Sequence, residues 1–273
     1  MPKFSIITIN YNDHEGLKKT IGSVIGQTFK DYEFLVIDGD STDGSKHILS
    51  QNASRITYAV SEPDSGVYNA MNKGIRAAKG EFIIFMNSGD LFHDPEVLAK
   101  ADALIDGQHD IYYGDVIVKK PNSERHKTYP NKLTFAYFYT NALCHQATFI
   151  RRQLFFDHFL YNEDYKIYSD GEFFLYTICK IGVPYKHIDL TVAIYDFTGI
   201  SSNPKYEKLH EDERMASIEK FFPQFADDYK VLSKLNAKRT KQLFHIENYP
   251  MAWKLTKGFM SLVLLFLPKI KKS

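Results

Sequence analysis

Four short apolar runs, each ending in acids or amides and separated by helix-length segments, constrain this chain more than any other feature. Residues 4–9 (FSIITI), 34–37 (FLVI), 56–60 (ITYAV) and 82–86 (FIIFM) carry few polar side chains. A run without polar alternation reads as a strand buried on both faces, the kind that parallel sheets supply. Between the first two, Leu17, Ile21, Val24 and Ile25 recur at helical spacing, and residues 45–50 and about 66–79 read as two further helices. Four strands with three intervening helices predict an α/β fold with a doubly wound, mostly parallel sheet. Asp94–Pro95 reads as a helix N-cap with proline at the first helical position, ahead of Val97, Leu98, Ala101, Leu104 and Ile105.

The regular alternation stops after Asp110. DIYYGDVIV is strand-like, residues 119–124 form a polar turn with Pro121, and a helix over residues 170–180 closes at Gly182. With a strand near residues 192–195, this half is expected to complete the sheet and to build a second part of a site beside it.

Charge narrows the function classes. The 273 residues hold 34 Lys plus Arg against 33 Asp plus Glu, a formal net charge of +1, so no global basic field supports nucleic-acid binding. Cys144 and Cys179 are the only cysteines, too few for a disulfide framework or a cysteine zinc site, which fits a reducing cytoplasm. The opening MPKFSIITINYN has no long apolar stretch with a small-residue cleavage site, so no secretory signal is expected.

In open parallel sheets ligands bind beyond the carboxyl ends of the strands. Those ends carry Asn10, Tyr11 and Asn12; Asp38 and Asp40; Glu62 and Asp64; and Asn87, Ser88 and Asp90. Asp, Asn and Ser are also ordinary turn residues, and their recurrence at four successive strand ends is what points to a site. Neither GxxxxGK[ST] nor a GxGxxG after the first strand is present, which disfavours P-loop and dinucleotide chemistry. A carboxylate rim facing phosphates calls for a divalent cation, and hard oxygen ligands suit Mg2+ or Mn2+ bridging a diphosphate.

SIITINYN, QTFKDYEFLVIDGDSTDGS and SEPDSGVYNAMNKGIRAAKGEFIIFMNSGD, in that order, resemble the nucleotide-sugar half of a family 2 glycosyltransferase with the GT-A fold. CHQATFIRR at 144–152, YKIYSDGEFFL at 165–175 and YDFTGISS at 195–202 resemble later segments of bacterial members that build surface polysaccharides. The resemblance spans about 200 residues. It implies a GT-A domain over residues 1–205, with a nucleotide-sugar half (1–110) and an acceptor half (111–205), then a helical extension over 206–273. By the same resemblance, Asn10, Tyr11, Asp38, Asp40, Asp64, Asn72, Lys73 and Ser88 are the donor-binding set, with Asp38 or Asp40 accepting from the base. Asn87-Ser88-Gly89-Asp90 stands at the DxD position with only its last acid, which makes Asp90 the ligand for Mn2+ or Mg2+. Asp170 matches the catalytic base of an inverting transfer; the competing reading is a helix N-cap. His145, Gln146 and Glu172 fall on the acceptor side, and Tyr113-Gly114-Asp115 is a further segment that would line the site. Gly171 departs from the family pattern, which often has a bulky aromatic there.

From Asn248 onward five lysines (254, 257, 269, 271, 272) and no acid surround the apolar run 259–267. Residues 258–268 are too short for a membrane-spanning helix. Trp253 and the lysines fit a segment lying on an anionic membrane surface, the competing reading being a helix packed on protein. Together these readings give a UDP-sugar donor, a glycan or lipid-linked acceptor, and a peripheral place on the inner face of the cell membrane. The alternatives are a sugar-1-phosphate nucleotidyltransferase, which should show a Gly-rich phosphate loop, and a scaffold that binds a nucleotide sugar without turnover.

Overall fold

The computed structural model describes residues 1–120, 123–196, 199, 203–235 and 237–268. Pro121 of the expected turn, residues 197, 198 and 200–202 of YDFTGISS, and Lys269, Lys271 and Lys272 lie outside the described residues.

The four apolar runs form β1 (Phe4–Asn10), β2 (Tyr32–Asp38), β3 (Tyr58–Ser61) and β4 (Phe82–Phe85), and all pair in parallel in the order β3-β2-β1-β4. Phe4, Ile6, Ile7, Leu35, Val36 and the whole of β4 are inaccessible to solvent, as strands covered on both faces must be. β3 differs: it is the sheet edge and most of its side chains are exposed. The connections are α1 (His14–Ile25), α2 (Ser45–Gln51) and α3 (Val67–Ala77). α1 buries Leu17, Ile21 and Val24, the stripe its spacing predicts.

Beyond β4 come β5 (Leu91–Phe92), α4 (Val97–Leu104), β6 (Ile111–Lys120), β7 (Ser123–Lys127), α5 (Phe135–Thr140), β8 (Thr148–Arg151), α6 (Gln153–Asp157), α7 (Ser169–Phe174) and β9 (Tyr185–Asp196). The sheet continues β4-β8-β6-β9-β5, with β7 on β6. β8 is antiparallel to both β4 and β6, β7 to β6 and β5 to β9, while β6 and β9 run parallel. The parallel character therefore belongs to the first half, and the whole sheet is mixed. α4 starts later than the Asp94–Pro95 signal implies: Asp94 instead accepts from the Glu96 amide and pairs with Lys100, and Glu96 is the N-cap. α7 runs on through a π-helical segment, Leu175–Ile181, and stops at Gly182, whose φ of 77° is the left-handed conformation that glycine enters without a Cβ penalty.

Met1–Phe221 form one compact unit and a second begins at Phe222. α8 (Glu207–Phe221) belongs to the first. Its Glu213 carboxylate accepts from the amides of Lys166, Ile167 and Tyr168, which fixes the approach to α7. The second unit holds α9 (Pro223–Leu235), α10 (Lys238–Glu247) and α11 (Pro250–Leu264). Among the described residues no helix is long and apolar enough to cross a membrane.

Candidate active site

A cleft of about 1310 Å³ opens at the carboxyl ends of β1, β2 and β4 and is closed by the loops before α7 and by α8. Its first wall follows from backbone geometry at the strand ends. Asn12 and Asp40 both have positive φ (50° and 62°), a conformation Asn and Asp tolerate better than other residues with a Cβ. Between them Gly39 is required: a Cβ there would lie 2.5 Å from Asp64 Oδ2 and 3.1 Å from the Tyr11 ring. The absence of that methyl lets the Tyr11 ring and the Asp64 carboxylate close over one backbone position. Tyr11 is 69% exposed, an aromatic face held in the cleft with no ring stacked on it among the described residues. Asp40 lines the same wall and pairs with Lys46.

Asp38 takes a different place from the one the resemblance implies. It is fully buried, and its carboxylate accepts from Asn10 Nδ2 (2.7 Å), Ser41 Oγ (2.6 Å), the Ser41 amide (3.0 Å) and Ser61 Oγ (2.5 Å). Burial opposes its ionisation, but the hydrogen bonds from Ser41, Ser61 and Asn10 outweigh that and hold the carboxyl below its ordinary value. Asp38 ties the ends of three strands together and does not line the cleft. Asn10 does line it and passes the network on, accepting from Ser88 Oγ at 2.8 Å.

Asn72 and Lys73 also lie outside the cleft lining. Asn72 is buried and clamps the Tyr161 backbone from both sides, donating to its carbonyl (2.8 Å) and accepting from its amide (3.0 Å). Lys73 pairs with Glu62 and donates to the Pro63 carbonyl, which steadies the loop that carries Asp64. The helical period explains both: α3 turns these positions toward its neighbours while Gly66, Val67, Tyr68 and Ala70 face the cleft.

The second wall is a hydrogen-bonded chain. Asp170 accepts from Tyr68 Oη at Oδ1 (2.9 Å) and from His145 Nδ1 at Oδ2 (2.8 Å), while His145 Nε2 lies 3.1 Å from Asn87 Nδ2. A carboxylate only accepts, so the contact with Asp170 places an imidazole proton on Nδ1, while Asn87 Oδ1 is buried without a partner among the described residues. Asp170 is not the N-cap of α7; Tyr168 is, and Asp170 sits in the first turn with its carboxylate in the cleft. Burial disfavours the Asp170 carboxylate, but the hydrogen bonds from His145 and Tyr68 prevail and hold it below its ordinary value. It is therefore ionised at neutral pH. Burial, with the charge of Asp170 added, pushes the Tyr68 hydroxyl well above its ordinary value, so Tyr68 remains a donor. Tyr68 and Asn87 were not singled out for this role by the sequence, because partners 102 and 58 residues apart leave no spacing signal.

Three acceptor-side expectations receive other placements. Gln146 is buried and donates to Asp90 Oδ2 at 2.7 Å. Glu172 is inaccessible, outside the cleft, and bonded to Lys220 of α8. Asp115, in the Tyr113-Gly114-Asp115 segment, holds the Tyr129 amide and His187 within the sheet. Gly171 is explained by Tyr168: a Cβ at 171 would sit 2.4–2.8 Å from atoms of that ring, so the tyrosine fills the space a bulky side chain would take.

The divalent cation implied by the resemblance does not fit the donor set. Each oxygen of Asp90 accepts one hydrogen bond, from Gln146 and from the Asp196 amide (2.9 Å). Burial dominates its titration and pushes the carboxyl up to about 7, despite the bonds from Gln146 and Asp196. Asn87 stands where a second acid would be, and its Nδ2 is turned to His145. Among the described residues no group of three His, Cys, Asp or Glu side chains is arranged to hold a metal ion.

The model of the family described as glycosyl transferase family 2 matches residues 5–161. A PGL/p-HBAD biosynthesis glycosyltransferase of Mycobacterium bovis (strain BCG / Pasteur 1173P2) is 32% identical over 214 residues, covering 76% of this chain and 82% of that protein. WfgD of Escherichia coli, a UDP-Glc:α-D-GlcNAc-diphosphoundecaprenol β-1,3-glucosyltransferase, is 30% identical over 133 residues, 48% of this chain and 53% of its own. Among solved structures, residues 1–349 of S. aureus TarS in complex with UDP-GlcNAc superpose with a TM-score of 0.65 at 20% identity, over 81% of this chain and 67% of that one. The mannosyltransferase PcManGT of Pyrobaculum calidifontis, in complex with GDP-Man and Mn2+, gives 0.58 at 14%, over 93% and 86%. The fold is GT-A, and the chain belongs to glycosyl transferase family 2, whose members are glycosyltransferases.

Proposed function

We infer that the chain transfers a sugar from a nucleotide diphosphate donor, UDP-linked, to a hydroxyl of a glycan or lipid-linked acceptor, with inversion at the anomeric carbon. The observation that carries this reading is the Asp170 carboxylate, ionised, oriented by Tyr68 and His145, and facing the same cleft as the Tyr11–Asp40–Asp64 wall. The base of the nucleotide stacks on Tyr11, and Asp40 or Asp64 accepts from it, a recognition that leaves Asp38 as the brace behind the wall. The acceptor oxygen attacks the anomeric carbon as its proton passes to Asp170; the bond to the diphosphate breaks and the electron pair leaves with it. The first turn of α3 has no side-chain cap and lines the cleft, so its free amides face the developing negative charge. These steps use only the side chains and amides of the chain itself.

The test is calorimetric titration with UDP, GDP and CMP, each with Mn2+ and with a chelator. UDP-selective binding that changes less than about threefold with Mn2+ is expected. No binding across the nucleotides sinks the donor assignment, and a tenfold gain with Mn2+ restores Asp90 as a metal ligand.

The second unit supports a place at an anionic membrane surface. On α11, Met251, Leu255, Phe259 and Leu262 recur at spacings of four, four and three and are all exposed, beside Lys254 and Lys257. An apolar stripe with a basic flank matches an interfacial helix. Deleting residues 250–273 is expected to abolish co-sedimentation with vesicles containing phosphatidylglycerol; unchanged partitioning rejects this surface.

A further inference from the structure

The acceptor half of the cleft carries positive charge that the transfer described above does not use. Arg125 and Lys127 on β7, Lys166 before α7, and Arg214 on α8 all line it, and none makes an ion pair with a described residue. Arg214 Nε is buried without a hydrogen-bond partner among the described residues. Burial, with repulsion from Arg125 in the same sense, lowers the Lys127 ammonium below its ordinary value. Burial and then the charge of Arg214 do the same to His210, one helical turn earlier on α8. Arg125 and Lys166 are exposed, whereas Lys127 and Arg214 are half-buried with no carboxylate partner among the described residues; Lys127 lies 4.7 Å from the centroid of the Tyr129 ring, and a bound anion recovers the desolvation of these two.

The placement of the cluster identifies the anion. β7 joins the sheet through β6, three places beyond β1 and on the side away from β2 and β3, whose ends build the nucleoside wall. Glu213 fixes Lys166 to α8 next to Arg214, so these two cations border the start of α7, which presents Asp170. Lys166 and Arg214 thus border the base, and Arg125 and Lys127 line the same cleft. We propose that this lining binds a phosphate or diphosphate group of the acceptor, so that the acceptor is an anionic, phosphate-bearing glycan or glycolipid. Arginine supplies a planar fork for two phosphate oxygens, and the ammonium groups supply point charges. The proposal rests on the transferase reading of the cleft and on the nucleotide lying at Tyr11.

The experiment is calorimetric titration of the UDP-saturated full chain with inorganic pyrophosphate, and separately with farnesyl diphosphate and with glycerol 3-phosphate. Pyrophosphate is expected to bind without displacing UDP, and Arg214→Gln and Lys127→Gln are each expected to weaken it about tenfold while UDP affinity holds. Preference for farnesyl diphosphate points to a lipid diphosphate, and preference for glycerol 3-phosphate to a phosphate within the glycan; both support the site. Absence of pyrophosphate binding to the wild-type chain overturns the proposal, and needs no variant to fold. Competition between pyrophosphate and UDP, or lost UDP affinity in the variants, also overturns it by giving these cations to the donor. Failure of UDP alone, with pyrophosphate still bound, sinks the nucleotide assignment and leaves the anion site standing.

Discussion

Asp170→Asn is expected to lower the transfer rate by about 10²–10⁴-fold, the range that a positioned general base contributes, while UDP affinity stays within about threefold. The amide matches the carboxylate in shape and can still accept from Tyr68, but it cannot take a proton from the acceptor. It also places an NH2 against the Nδ1–H of His145 in one orientation, so a modest loss of stability accompanies the loss of rate. Single-turnover transfer and calorimetry with UDP separate the two effects. A parallel collapse of both would show that Asp170 holds the cleft together and does no proton chemistry. The pH profile gives an independent check. Because the folded carboxyl is held below its ordinary value, the rate should be independent of Asp170 protonation through neutral pH and fall only in acid. The corresponding contribution to stability has the same sign: present above the unfolded value of 3.8 and lost as pH falls through the lower folded one.

Asp90 predicts the opposite slope. Its folded carboxyl titrates at about 7 against 3.8 in the unfolded chain, so the native state keeps a proton that the unfolded state has released. Stability is undiminished below about pH 4 and falls between the two values by roughly 1.4 kcal/mol per pH unit. From pH 5 to pH 8 the loss amounts to about 3 kcal/mol. Asp90→Asn removes the titrating group, and its unfolding free energy in urea should lack this decline. Equal pH slopes for wild type and variant would mean that the carboxyl ionises in the folded protein at its ordinary value, through water or a cation reaching it. Added Mn2+ should leave the wild-type curve unchanged at pH 8, since among the described residues no second or third acid or histidine stands with Asp90 to hold the ion.

The elements that local pattern governs were legible. FSIITI, FLVI and FIIFM are strands because uninterrupted β-branched and aromatic residues suit a position covered on both faces, and α1 follows from one stripe of Leu17, Ile21 and Val24. Asp170 was legible through the resemblance of SDGEFF to a family motif. The competition between base and N-cap was not, since both put an acid at the start of a helix; the structure gives the cap to Tyr168, and the base role is what Asp170→Asn tests. For a related reason the pattern of polar residues does not show that Asp38 and Asn72 sit outside the cleft lining. A polar residue after a strand or on a helix looks the same whether it faces a ligand or spends its hydrogen bonds inside the protein; Asp38 at 0% and Asn72 at 1% exposure do the latter.

The amino-acid sequence alone determined the order and type of the first-half elements, the rim of polar residues at their carboxyl ends and the class of chemistry, because those depend on neighbours within one helix or strand. Tertiary structure decided which polar groups face the cleft, that Tyr168 fills the space beside Gly171, and that Asn87 serves His145. It also brought Arg125, Lys127, Lys166 and Arg214 into the lining of one cleft. Each of these depends on side chains that meet only when the sheet is closed, and on whether their charge or hydrogen bonds are satisfied there, which no spacing along the chain encodes.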